Sequence, residues 1–231
     1  MKTFLLYRPD DYLTHTRVQI LKTTLKWLVL LWLGAVCIRM LCFMAYMSQG
    51  LNPQELTRFG GDPTTRSASG DTLQQVLFLL LWAPLAEELL FRLGLSFRRR
   101  TVALWAGLLP FLWCFYLNSV RQWYILVPVA LLGALFYFLI TRYTTPAQWK
   151  VWRSRYIIPA MWVSAVGFGL VHFHAFSVLN GQVFPWALCT VLVPMSLGFA
   201  ATYARVNLGF WWGVLLHSLF NIPAILTLIL S

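Results

Sequence analysis

Apolar residues in this chain come in long unbroken runs, and the polar residues gather in the gaps between them. Seven runs reach the roughly 17–25 residues that a helix needs to cross a bilayer. They fall near 27–47, 73–95, 102–118, 123–140, 156–175, 184–204 and 208–230. The third is the shortest and is interrupted by Pro110. A polar lead of 26 residues precedes the first run, which is itself of spanning length, so the start does not read as a cleaved signal peptide. The stretch 48–71, "SQGLNPQELTRFGGDPTTRSASGD", is rich in Gly, Pro, Ser and Thr and predicts an irregular external connection. No internal repeat, low-complexity tract or second domain interrupts the pattern. The expected architecture is all-α, a polytopic membrane helix bundle of about seven transmembrane helices.

Composition supports that class. Of 231 residues, 59% are hydrophobic and only 11% charged, with a mean hydropathy of +0.68. Soluble domains carry about a quarter charged residues. A net charge of +11 raises nucleic acid as a partner, until the basic residues are sorted by side. With seven spans and a cytoplasmic N-terminus, one side holds Lys2, Arg8, Arg17, Lys22, Lys26, Arg98, Arg99, Arg100, Arg142, Lys150, Arg153, Arg155 and Arg205. The other holds Arg58, Arg66 and Arg121. Thirteen against three is a positive-inside asymmetry. Topology then explains the charge, and no nucleic acid is needed. Cys37, Cys42, Cys114 and Cys189 all lie in expected spans without metal-like spacing and read as packing thiols.

Seven residues are acidic, and Asp10, Asp11, Glu55, Asp62 and Asp71 fall outside the runs. Only Glu87 and Glu88, in "WAPLAEELLFRLGL", lie within one. A charge at the bilayer centre costs about 2.5–3.5 kcal/mol even on the lenient insertion scale, so these residues should face the protein interior and find partners. Glu88 and Arg92 are four apart and share a helix face. Glu87 points about 100° away and is left without a basic partner at helical spacing. Pro84 removes a backbone hydrogen bond just before the pair and should kink the helix. His15 sits in the polar lead as a solvated residue, whereas His172 and His217 lie in separate apolar runs. Asn221 follows His217 by one turn on the same face. His174, two residues from His172, points nearly opposite and reads as a bystander.

The elements "EELLFR" (87–92), "FGLVH" (168–172) and "HSLFN" (217–221) together resemble the EExxxR, FxxxH and HxxxN motifs of the CPBP family, also called ABI, of CAAX proteases and bacteriocin-processing enzymes. Leu93 stands before Gly94 where family members often have Gly directly after the motif arginine. The resemblance covers about residues 72–230, so that 1–71 reads as an N-terminal segment with the first span and external loop, and 72–231 as a CPBP-like peptidase core. It implies a glutamate-dependent intramembrane endopeptidase of membrane-associated proteins or peptides, in a prokaryotic cytoplasmic membrane. Glu87 would activate water with His172, His217 and Asn221 would stabilise the oxyanion, and Glu88 and Arg92 would support the site. Residue chemistry is compatible: an imidazole and an amide one turn apart can both donate to a developing oxyanion.

No cofactor is required by that reading. A zinc version remains open, with a glutamate, His172 and His217 as ligands, although there is no HExxH and Asn221 is a poor zinc ligand. A proton-coupled transporter would also bury carboxylates and histidines, but no inverted repeat accompanies them. A non-catalytic binding or immunity protein would keep the scaffold without turnover. Counted from Arg155, Arg98 and Arg205, His172 lies about 8 Å further along the membrane normal than Glu87 and His217, if the helices are straight. Gly209 and Gly213 form a small-xxx-small pattern that predicts close approach of the last span to a neighbour.

Overall fold

The computed structural model describes residues 16–50, 72–116, 123–176 and 180–230. Of the residues discussed above, His15, Lys2, Arg8, Arg58, Arg66, Arg121 and the five acids outside the apolar runs lie outside these ranges, as does most of the connection over 48–71. Among the described residues the fold is all-helical, without strands. In chain order the helices are α1 (Arg17–Ser48), α2 (Thr72–Leu77), α3 (Ala83–Arg92), α4 (Arg99–Tyr116), α5 (Trp123–Tyr143), α6 (Pro146–Val171), α7 (Val183–Asn207) and α8 (Phe210–Leu230). Five of them, α1, α5, α6, α7 and α8, are long and apolar enough to cross a membrane.

Two of the seven expected spans differ from the sequence reading. The run over 73–95 is helical throughout but not uniformly α: α2 passes through a π-helical turn Phe78–Trp82 into α3, which ends in a 3-10 turn Leu93–Ser96. The run over 102–118 becomes α4, which is 18 residues long and opens on Arg99 and Arg100. The first span is longer than expected, because helix begins at Arg17 rather than near residue 27. Thr16 and Gln19 cap it reciprocally, each side chain accepting from the other's backbone N–H. Thr145 and Gln148 repeat this arrangement before α6. Both are Thr-x-x-Gln capping boxes, legible in the sequence.

α7 is the centre of the bundle. It packs against α1, α6 and α8, and its buried positions include Ala187, Gly198, Ala200, Ala201 and Ala204, small residues that let three neighbours approach. A core of Phe168, Leu197 and Ala201 joins α6 to α7, with Phe91 and Phe220 packed against it from α3 and α8. Large apolar side chains such as Val29, Leu131, Val163 and Leu230 point outward, as expected where lipid is the solvent. Between α7 and α8, Gly209 adopts φ +112°, a conformation side chains rarely take.

α4 and α5 form a hairpin whose contact is backbone against backbone. A Cβ added at Gly133 would sit 2.2 Å from the Gly107 carbonyl oxygen. Arg99 ties the hairpin's end by donating to the Thr144 carbonyl at 3.1 Å. Gly133→Ala is therefore expected to destabilise the fold by about 1–3 kcal/mol through overpacking, read as a lower melting temperature in detergent. Gly34→Ala, where nothing lies within 4 Å, should leave that temperature unchanged or raise it.

Candidate active site

The site is built on α3, and the surrounding helices hold it by its backbone. Ala83 N–H reaches back to the Phe78 carbonyl, a five-residue step that skips Leu79. Pro84 has no N–H, so the Leu80 carbonyl also loses its α-helical donor. Side chains of α8 take both places, Asn221 Nδ2 donating to Leu79 O at 2.9 Å and Ser218 Oγ to Leu80 O at 2.7 Å. The C-terminal end is treated alike. Trp105 donates to Leu90 O at 2.7 Å, Ser164 to Phe91 O at 2.9 Å, and Arg205 Nε to Arg92 O at 3.1 Å. Orphan carbonyls at a buried helix end need such partners, and here four different helices supply them.

Glu88 and Arg92 form the expected pair, and both side chains are completely buried. Arg92 donates to Glu88 Oε1, and its Nε donates to Thr202 Oγ1 at 3.1 Å. Its guanidinium carbon lies 4.4 Å from the centre of the Phe168 ring, a cation–π contact. Gly213 brings α8 so close that an added Cβ would be 2.6 Å from Glu88 Oε2. The close approach expected of the Gly209–Gly213 pair thus comes from Gly213, while Gly209 serves the turn.

His217 sits between the two carboxylates. Its Nε2 is 3.6 Å from Glu87 Oε2 and its Nδ1 is 3.5 Å from Glu88 Oε1. Glu87, left without a partner by helical spacing, therefore meets one from another helix. Glu87 Oε2, Glu88 Oε2 and His217 Nδ1 are all buried and make no hydrogen bond. Buried polar atoms are nearly always satisfied, and three such atoms at one place mark it as chemically unfinished.

The other two candidates join less directly. His172 begins the 3-10 turn His172–Ala175, and its Nδ1 lies 2.8 Å from the Phe168 carbonyl. That carbonyl can only accept, so the neutral ring carries its proton on Nδ1 and its lone pair on Nε2. Phe168 packs edge-on to both histidines, with ring centres 5.1 Å from His172 and 5.4 Å from His217. One ring thus touches His172, His217 and Arg92. Asn221 spends one amide N–H on Leu79, and an amide has a second. Among the described residues no three His, Cys, Asp or Glu side chains are grouped closely enough to hold a metal ion. Cys42 of α1 and Cys189 of α7 are neighbouring free thiols.

Sequence reasoning passed over Thr202, Ser164, Ser218 and Arg205, which carry much of the hydrogen bonding around α3. Their only signal was a polar residue inside or at the edge of an apolar run. Arg39 was passed over too, and lies 5.2 Å from the Trp186 ring.

Arg92→Met is expected to cost about 3–5 kcal/mol, because it strands Glu88 in the core. The double variant with Glu88→Gln should recover part of that loss, a coupling that thermal melts of the two single variants and the double would measure. No family model, curated protein or solved structure matches the chain.

Proposed function

We propose that the chain is an intramembrane endopeptidase in which Glu87 activates water, as its resemblance to the CPBP family implies. The reading includes a multi-pass protein of about seven spans, with the 73–95 and 102–118 segments completing the bundle, a cytoplasmic N-terminus and a prokaryotic cytoplasmic membrane. Its substrate would be a membrane-associated protein or peptide. The observation that carries the reading is the group of buried Glu88, Arg92 and His217 with half-buried Glu87, in which three buried polar atoms have no hydrogen bond among apolar helices. A structural ion pair would be satisfied within itself, whereas this group has bonding capacity to spare.

In this mechanism Glu87 takes a proton from water while the water oxygen bonds to the scissile carbonyl carbon. The resulting oxyanion accepts hydrogen bonds from His217 and from the second amide N–H of Asn221. His172, with its Nε2 lone pair, assists Glu87 in activating the water, and Glu87 then returns the proton to the departing amine as the C–N bond breaks. Glu88 and Arg92 touch no reacting atom. They fix the rotation of α3, which keeps Glu87 turned towards His217.

Purified protein in detergent, offered a pool of hydrophobic C-terminal and leader-type peptides, should cleave at least one of them. Glu87→Gln should abolish that cleavage, and Asn221→Ala should slow it by about 10²–10³, the usual effect of losing one oxyanion donor. Activity should persist after treatment with a metal chelator. Cleavage that survives Glu87→Gln would sink the mechanism, and loss on chelation restored by zinc would replace it with the metallopeptidase.

A further inference from the structure

A cavity of about 500 Å³ lies between α4 and α6, floored by α3 and the 3-10 turn after it. The catalytic reading makes no use of it. Val163 lines it and is 73% exposed, so the cavity opens sideways to the surroundings of the bundle. Its wall reaches from Trp149 to Gly167 along one face of α6, about 27 Å of helix. The polar side-chain groups in that wall are already spent. Trp105 donates to Leu90 O, Trp149 to Thr144 Oγ1 and Ser164 to Phe91 O. A peptide backbone laid there would lose its hydrogen bonds with water and gain none from these side chains, whereas a hydrocarbon chain would lose nothing.

One end of the cavity is basic. Phe97 and Trp149 close it with ring centres 6.4 Å apart, and Arg98 and Lys150 follow them directly in the chain. Arg153 lies one turn from Trp149 on the same side of α6, between Trp149 and Ala160. Arg205 lies within reach of the charges of Glu88, Arg98 and Arg153. Glu87 and Glu88 are the only carboxylates among the described residues, and they are engaged by Arg92 and His217. Apart from Glu88, which acts on Arg205, the basic end has no acidic neighbour among the described residues, and an anion from outside the chain would be attracted to Arg98 and Arg153.

We propose that this cavity binds an anionic phospholipid, with one acyl chain between α4 and α6 and the phosphate against Arg98 and Arg153. Basic pockets between membrane helices select anionic headgroups on this principle. The inference rests on the membrane setting proposed above, and it is independent of the peptidase chemistry.

The test is native mass spectrometry of the full chain in detergent, titrated with phosphatidylglycerol or phosphatidylcholine. A one-to-one adduct with phosphatidylglycerol is expected, at about tenfold or more higher affinity than with phosphatidylcholine. The Arg98→Gln/Arg153→Gln double variant should remove that preference and leave phosphatidylcholine binding unchanged. Val163→Trp, at the exposed mouth, and Ala160→Phe, in the wall, should each weaken both lipids. Equal affinity for the two lipids in the unaltered chain would overturn the proposal, as would phosphatidylglycerol binding untouched by both cavity variants. Full competition by glycerol phosphate would also overturn it, because the acyl chain would then contribute nothing. Displacement of the lipid by a hydrophobic peptide, independent of Arg98 and Arg153, would assign the cavity to peptide instead. A chain that stays in solution without detergent would overturn the membrane setting as well, which separates that failure from failure of the lipid site alone.

Discussion

The buried pair of Glu88 and Arg92 constrains everything around it. Both side chains are fully removed from solvent, so neither charge can be stabilised except by the other and by the groups gathered on them. Arg92 meets that need with Glu88, the Thr202 hydroxyl and the face of Phe168. Each contact comes from a different helix, which couples α3 to α6 and α7 at once. Turning α3 would carry the pair away from Thr202 and Phe168, so Glu87 is held on the side where His217 lies.

A second constraint acts on the backbone. Irregular backbone within an apolar bundle is tolerated only where protein or water satisfies it. The π turn and Pro84 break the helix ladder ahead of α3, and Asn221 and Ser218 repair it from α8. The same last helix contributes His217 through its approach at Gly213. Repair of α3 and delivery of the imidazole are thus one docking event, with Asn221 acting in both backbone support and the proposed chemistry. A regular α-helix over 73–95 would offer α8 no free carbonyls to seat against.

The lateral cavity and the polar group lie on successive turns of α3. Leu90 and Phe91 face the cavity, one turn along from Glu87 and Glu88, while their carbonyls are tied to Trp105 and Ser164.

The helical class, the long apolar runs, the Thr-x-x-Gln caps and the Glu88–Arg92 pair depend only on neighbours within a few residues, and the sequence by itself determined them. It also singled out Glu87, His172, His217 and Asn221 as polar groups that apolar helices would have to accommodate. Which of them meet was beyond it. The pairing of His217 with Glu87 spans 130 residues and depends on how closely α8 approaches α3, which a glycine permits but does not dictate. The division of 73–95 into four pieces was hidden for the same reason, since a carbonyl can leave its helix partner only when a distant side chain replaces it. Local periodicity records the cost of burying a polar group, and only the tertiary structure decides which partner offsets it.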